Sequence, residues 1–279
     1  MERRDFVSAL AAGAALTAVP AACAGQPTRG GRRLDRIGVQ LYTVRAAMAR
    51  DVEATLERVA AIGYREVEFA GYFGRTPEQI RSALETARLS APACHIGWER
   101  LESDASRTLD EAARAGHDFV IVASLPADRS RSVADYRAWA ARFNDAGRAA
   151  RDAGLRYAYH NHEVEFRPID GTLPYDVLLA DTDPDLVAFE MDLFWTVKGG
   201  ADPLAYFAAH PGRFQLVHVK DMDADGRMVD VGAGRLDFRA IFARGAQAGI
   251  RHCFVEHDEP ADPFASIQAS FDYLRRLEF

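Results

Sequence analysis

Short apolar runs rich in β-branched and aromatic residues alternate along the chain with longer stretches in which alanine, arginine and glutamate recur at helical spacing. Eight runs predict strands, at Ile37–Val44, Glu66–Tyr72, Ala91–Trp98, Phe119–Leu125, Arg156–Phe166, Leu186–Phe194, Phe214–Lys220 and Cys253–His257. Predicted helices lie between or after them, at Val52–Ala61, Pro77–Arg88, Ala105–Ala115, Val133–Ala153, Tyr175–Ala180, Pro203–Ala209, Phe238–Gln247 and Pro263–Leu277. Eight βαβ-type units over about 240 residues predict a single α/β domain, a (β/α)8 TIM barrel.

Glycines support this division of the chain. Gly63, Gly116, Gly154 and Gly249 each lie at the end of a predicted helix shortly before a strand, where a left-handed cap is expected. An open, doubly wound sheet is the structural alternative. No glycine-rich phosphate loop follows the first strand, where that fold often carries one, so the barrel is favoured over residues 36–279.

The N-terminus is typical of an export signal. Arg3 and Arg4 precede an uncharged, alanine-rich run that extends to Ala24. The arginine pair resembles a Tat signal, with a Sec signal as the alternative. We therefore assign residues 1–25 to a signal peptide and 26–35 to a linker, and predict a periplasmic protein. Lipid anchoring at Cys23 is the alternative to a soluble form, but Pro20 stands where a lipobox usually carries Leu or Val.

Composition and charge exclude several classes of partner. The chain is 48% hydrophobic and 27% charged, as is ordinary for a globular protein. A net charge of −7 disfavours nucleic acid or an anionic membrane as the partner. No segment after residue 25 has the roughly 18 unbroken apolar residues of a membrane span. A homo-oligomer is compatible with a barrel, although no segment identifies an interface.

Residues that can bind metals gather at the carboxyl ends of the predicted strands, where barrel enzymes place their active sites. His160 and His162 share one face of the fifth strand, and His218 and Lys220 share one face of the seventh. We place Glu190 toward the helices, on the face opposite Asp192. A histidine or carboxylate on each of four neighbouring strands forms a mixed nitrogen and oxygen set, which suits Mn, Zn, Co or Fe better than Mg or Ca.

Five segments carry a resemblance to a known family: Tyr159–His162, Glu190–Trp195, His218–Asp221, Gly232–Phe238 and Phe254–Glu256. Residues 36–279 resemble the xylose isomerase-like barrel family, also described as sugar phosphate isomerases/epimerases. The resemblance implies one divalent metal ion held by Asp192, His218 and Glu256. The family's fourth ligand, a glutamate, falls on His160. Glu163, Glu165 and His162 are alternative ligands on that strand.

The resemblance implies an isomerase or epimerase that removes a proton α to the carbonyl of a sugar or keto-sugar. The sequence has no glycine-rich anion-binding loop and carries an export signal, so we expect a substrate without phosphate. Epimerases of this family use two glutamates that flank the reacting carbon, and His160 puts that symmetric mechanism in doubt. The Tyr-His-Asn-His strand together with an export signal also resembles enzymes that cleave 3-keto glycosides by elimination. A noncatalytic periplasmic sugar-binding barrel and a DNA-repair endonuclease are weaker alternatives.

Removal of such a proton needs a positioned base and stabilisation of the charge that develops on the carbonyl oxygen. Glu256 or His162 is the predicted base, and Lys220 or His95 the predicted donor to substrate oxygens. Aromatic side chains often form the apolar wall of a sugar pocket. Trp98 and Trp195 are therefore predicted substrate contacts. His95 and Glu68, polar residues at the ends of two strands, are the other two.

Overall fold

A computed structural model describes residues 31–279 of the 279-residue chain. The predicted signal peptide, which includes Cys23, and the first half of the linker lie outside the described residues. Within the described part, no helix is both long enough and apolar enough to cross a membrane.

Eight parallel strands close into a barrel, in which each strand pairs with the next along the chain and the last pairs with the first. The predicted (β/α)8 barrel is thereby confirmed. The strands are β1 (Gly38–Gln40), β2 (Glu66–Ala70), β3 (Ser90–His95), β4 (Phe119–Val122), β5 (Arg156–His160), β6 (Val187–Asp192), β7 (Phe214–Val219) and β8 (His252–Val255). All eight overlap predicted runs, and all eight end earlier than predicted.

The helices surround the barrel. They are α1 (Arg45–Met48), α2 (Val52–Ile62), α3 (Pro77–Ala87), α4 (Trp98–Ala115), α5 (Val133–Asp152), α6 (Pro174–Asp181), α7 (Leu193–Lys198), α8 (Pro203–Ala209), α9 (Phe238–Ala243), α10 (Gly245–Ala248) and α11 (Pro263–Leu274). Side-chain caps fix several starts: the hydroxyls of Thr76 and Ser132 accept hydrogen bonds from backbone N–H groups in capping boxes. Helix α4 begins at Trp98 rather than at Ala105, with non-helical backbone at Asp104.

The barrel interior is built in layers of inward-facing side chains. The lower layer is apolar and consists of Ala93, Phe119, Ile121, Ala158, Ala188, Leu216 and Phe254. Gly38 completes it, because a Cβ there would stand 2.5 Å from a Phe254 ring carbon. Since inward-facing positions recur every second residue, the next layer lies two residues further along each strand. That layer is polar and includes His95, His160, Glu190, His218 and Glu256.

The loop after β7 is organised by one carboxylate. Asp221 accepts hydrogen bonds from the backbone N–H groups of Gly232, Gly234 and Leu236 at 2.9, 2.9 and 3.1 Å. Residues Asp221–Met222 also pair antiparallel with Met228–Val229. The Gly232–Phe238 motif therefore holds the loop in shape, and this brings Met228 to the mouth of the barrel.

Candidate metal centre and active-site cavity

Four side chains from neighbouring strands converge at the carboxyl end of the barrel. His160, Asp192, His218 and Glu256 each offer a donor atom, and these atoms all lie within 4.8 Å of one another. His218 Nδ1 is 2.8 Å from Glu256 Oε2 and 3.8 Å from Asp192 Oδ2, and His160 Nε2 is 3.3 Å from Asp192 Oδ2. The structure thus brings together the four predicted ligands.

The chemistry of this set fits a divalent transition metal. Two imidazoles and two carboxylates, all buried, form a mixed nitrogen and oxygen environment. His218 Nδ1 is buried and makes no hydrogen bond to the described residues, although it faces both carboxylates. An orphaned imidazole nitrogen between two carboxylates needs a cation or a proton to balance it.

Asp192 is aimed by the start of a helix. Its Oδ1 accepts a hydrogen bond from the Trp195 N–H at 2.9 Å and so caps α7, which leaves Oδ2 free to face His160. The Asn161 side chain accepts a hydrogen bond from the Asp192 N–H at 3.1 Å. This cap ends the strand at Asp192, two residues before the predicted end.

A buried glutamate shapes the turn after β5. The Glu165 carboxylate accepts hydrogen bonds from the Tyr159 hydroxyl at 2.8 Å and from the His162 N–H at 2.7 Å. Burial raises the pKa of Glu165 to about 7. Glu163 pairs instead with Arg167 near the surface. Neither of these glutamates, nor His162, belongs to the metal-competent groups of the described residues, which leaves His160 as the fifth-strand ligand candidate.

Lys220 neutralises the carboxylates of the centre. Its ammonium lies 2.7 Å from Glu256, 3.1 Å from Asp192 and 2.7 Å from Asp258. Burial disfavours the charge on Lys220, but these carboxylates raise its pKa above the ordinary value. In return, although burial opposes the effect, Lys220 holds the pKa of Asp192 near 2 and that of Glu256 well below its usual range.

A cavity of about 710 Å³ opens above the centre. His95, His160, His162, Trp195, Lys220 and Glu256 line it. Burial and the neighbouring His160 lower the pKa of His162 to about 4, so its imidazole is neutral at pH 7. The His162 and Trp195 rings lie 5.8 Å apart between centroids. The cavity therefore combines an aromatic wall with imidazoles and an ammonium group.

Two predicted substrate contacts lie away from this cavity. Trp98 packs against Trp139, with ring centroids 4.9 Å apart, and is not among the residues that line the cavity. It starts helix α4, so its side chain turns into the core rather than following the strand face. Glu68 is fully buried inside the barrel, below the cavity, where it contacts His218.

The expectation for Glu190 is wrong. Residues two apart on a strand share a face, so Glu190 points into the barrel like Asp192. It is fully buried, and its Oε2 lies 2.7 Å from His95 Nε2 and 3.2 Å from His218 Nε2. Glu68 and Glu190 are thus close neighbours of the centre, and the period of the strand was the signal that could have identified Glu190.

The comparisons with known proteins agree with this architecture. A family model described as "Xylose isomerase-like TIM barrel" matches residues 56–277. An inosose dehydratase of Geobacillus kaustophilus (strain HTA426) is 26% identical over 271 residues, covering 81% of this chain and 87% of that protein. The structure of a sugar phosphate isomerase/epimerase from Parabacteroides distasonis is 28% identical, with a TM-score of 0.77, and covers 87% of this chain and 98% of its own.

A more distant structure, an IOLI protein with a bound zinc atom, shares the fold at 12% identity, with a TM-score of 0.69 over 85% of this chain and 95% of its own. The relatives are enzymes named for dehydration and for isomerisation or epimerisation. The family model spans most of the chain, and the structure has the barrel that its description names. This chain belongs to the xylose isomerase-like TIM barrel family.

Proposed function

We propose that this protein is a divalent-metal-dependent enzyme that removes a proton α to the carbonyl of a non-phosphorylated keto-sugar or cyclic polyol ketone, and that elimination of the β-substituent follows. One observation carries the proposal. Four buried donor groups converge within 4.8 Å of one another at the base of a cavity that also contains His95, His162 and Lys220.

His160, Asp192, His218 and Glu256 would hold the metal ion. When bound, a divalent ion supplies Lewis-acid stabilisation of the negative charge that develops on a carbonyl oxygen. Lys220 balances the excess of carboxylates and keeps Asp192 and Glu256 ionised. The protein's own part is to hold these charges in a fixed arrangement, so that little reorganisation is needed during the reaction.

His162 is the proposed base. It lines the cavity two residues beyond His160, and its imidazole is neutral at pH 7. Glu256 is less suited to this role, since its Oε2 already lies 2.7 Å from Lys220 and 2.8 Å from His218. A positioned base of this kind contributes about 10²–10⁴-fold to proton transfer.

Elimination is favoured over epimerisation by the residues present. Epimerisation by two flanking carboxylates requires a glutamate at the position of His160. Elimination requires one base and one donor that protonates the departing oxygen. His95, which lines the cavity on β3, is the proposed donor. Although burial opposes the effect, Glu68 and Glu190 raise the pKa of His95 and so favour the imidazolium form, in which one N–H donates to Glu190 and the other is available to the departing oxygen. The name of the Geobacillus kaustophilus relative, a dehydratase, supports this outcome.

The cavity suits a substrate without phosphate. Its two outer cations are already engaged in the described part of the chain: Lys198 donates to the Gly226 carbonyl at 2.6 Å, and Arg227 pairs with Asp223 at 3.1 Å. Asp258 and Glu259 add negative charge at the same wall. A polyol ketone, which is uncharged, would enter without opposing these carboxylates.

A second candidate is isomerisation or epimerisation of the same class of substrate. The 28% identity to the Parabacteroides distasonis isomerase/epimerase favours it. Both candidates share the proton removal and differ in the step after it. In this second case His95 would return a proton to carbon instead of protonating a leaving group.

Product analysis separates the two candidates. Purified protein loaded with Mn²⁺, Co²⁺ or Zn²⁺ is incubated with an inosose, a 3-keto glucoside and a ketohexose, and products are followed by NMR. We expect loss of water or of the aglycone with a new unsaturated ketone. A stereoisomer with every C–O bond intact would establish the second candidate. No product from any of the substrates with metal-loaded protein would refute both.

A further inference from the structure

Two buried glutamates connect the metal centre to the cavity wall. Glu68 Oε2 lies 2.6 Å from His218 Nε2 and 3.3 Å from His95 Nε2. Glu190 Oε2 lies closer to the other imidazole, at 2.7 Å from His95 Nε2 and 3.2 Å from His218 Nε2. Both glutamates are fully buried. We call Glu68, Glu190, His95 and His218 the inner quartet.

The distances show what kind of contact these are. The two short contacts of the inner quartet, 2.6 Å from Glu68 to His218 and 2.7 Å from Glu190 to His95, have both the length and the geometry of hydrogen bonds. The 2.8 Å contact between His218 Nδ1 and Glu256 in the metal centre does not have hydrogen-bond geometry. Although its donor atoms lie close enough together to suggest an ion, the inner quartet has the dimensions of a hydrogen-bonded network.

In each imidazole of the inner quartet, Nε2 is hydrogen-bonded to a buried glutamate, and Nδ1 lies on the opposite side of the ring. When the Nε2–H of His218 donates to Glu68, Nδ1 is left facing Asp192 and Glu256. When the Nε2–H of His95 donates to Glu190, the rest of that ring lines the cavity. For His218, this hydrogen bond fixes the tautomer and leaves Nδ1 able to bind a metal ion. For His95, it fixes the orientation of the ring toward the cavity.

Glu68 is itself held in place. The Gln40 side-chain amide donates to Glu68 Oε2 at 2.7 Å, and the Gln40 Oε1 accepts from the Tyr42 N–H at 3.0 Å. Gln40 is fully buried at the end of β1. The chain of contacts thus runs from the backbone after β1, through Gln40 and Glu68, to His218.

We propose that Glu68 and Glu190 are positioning residues with divided roles: Glu68 orients His218 toward the metal ion, and Glu190 orients His95 toward the substrate. The inference rests on the metal site of the proposed function and adds two residues to it. Neither glutamate lines the cavity, so neither touches the substrate or the reacting atoms. Replacing a group that orients a metal ligand costs about 10–100-fold in metal affinity.

Replacing each glutamate with glutamine in turn tests whether Glu68 and Glu190 have different roles. Glu68→Gln and Glu190→Gln are purified alongside the wild type, and binding of Mn²⁺ and Zn²⁺ is measured by calorimetry on chelator-treated protein. We expect one ion per wild-type chain, a 10–100-fold higher Kd in Glu68→Gln and a clearly smaller change in Glu190→Gln. Glu190→Gln should instead lower kcat/KM at saturating metal, because His95 loses its orienting partner.

Gln40→Met is a milder variant that loosens Glu68 without changing the inner quartet, in case Glu68→Gln does not fold. It should weaken metal binding in the same direction and by less. Equal metal affinities for wild type and Glu68→Gln would overturn the inference and leave the proposed function standing. So would two ions per wild-type chain with one lost in Glu190→Gln, since the quartet would then hold an ion. A wild type that binds no divalent ion would overturn the proposed function as well.

Discussion

Removal of the Lys220 ammonium should destabilise the protein, and by much more without metal than with it. In Lys220→Met, Asp192, Glu256 and Asp258 lose their shared cation, which lies 2.7–3.1 Å from all three and is buried. Breaking a buried ion pair on one side costs about 3–5 kcal/mol, since the remaining charge stays desolvated. A divalent ion between Asp192 and Glu256 would replace most of that lost positive charge.

The expected magnitudes can be worked from this arrangement. Chelator-treated Lys220→Met should lose about 3–5 kcal/mol in the free energy of unfolding relative to chelator-treated wild type. For a domain of this size, that corresponds to a decrease in Tm of roughly 6–20 °C. With saturating Mn²⁺ or Zn²⁺, the difference between variant and wild type should fall to less than half of its metal-free value.

Urea unfolding followed by circular dichroism, with chelator and with metal, measures both differences. Lys198→Met is the matched control, because Lys198 is exposed and donates only to the Gly226 carbonyl in the described chain. It should change stability by no more than about 0.5 kcal/mol in either condition. If Lys220→Met lowers the free energy of unfolding by the same amount with and without metal, the reasoning is refuted, since Asp192 and Glu256 would then not share a metal ion.

Three further changes test the base, the buried glutamate of the β5 turn and the export signal. His162→Asn should lower kcat by about 10²–10⁴-fold while calorimetry still finds one bound ion, and loss of the ion would assign His162 to the metal instead. Glu165, with a folded pKa of about 7 against 4.5 ordinarily, is protonated in the folded state between those pH values and ionised in the unfolded state. The raised pKa of Glu165 therefore adds up to about 3 kcal/mol to the free energy of unfolding. This stabilisation is fully present below pH 4.5 and is lost as the pH rises through 7. Glu165→Gln should flatten that part of a stability–pH curve from urea unfolding, and an unchanged slope would contradict the assignment. Lysines in place of both Arg3 and Arg4 should retain the protein in the cytoplasm on cell fractionation, and unchanged export would exclude a twin-arginine signal.

The alternation of apolar runs and helical stretches was sufficient to predict the barrel. Every predicted strand overlaps an observed one, because strands buried on both faces read as short apolar runs. The strand ends were less predictable. Asp192 caps α7 and Glu165 fixes the turn after β5, and both effects depend on side-chain hydrogen bonds that periodicity does not reveal.

The convergence of the four candidate metal ligands was also predictable, whereas the residues that surround them were not. His160, Asp192, His218 and Glu256 lie at strand ends, where position alone suggests a role. Glu68 and Glu190 lie deeper, and the short contacts from Glu68 to His218 and from Glu190 to His95 cross the barrel interior, so they form only when the barrel closes. Trp98 was assigned to the pocket because its strand was extended too far, when in fact it starts α4 and packs against Trp139.

Exchange of the substrate's α-hydrogen with solvent is the measurement closest to the central claim. Metal-loaded wild type, chelator-treated wild type and His162→Asn are each incubated with a keto-polyol in D2O, and the α-proton signal is followed by NMR. We predict loss of the α-proton, through exchange or conversion, with metal-loaded wild type alone. Equal loss with chelator-treated protein, or with His162→Asn, would contradict proton removal by His162 at a metal centre.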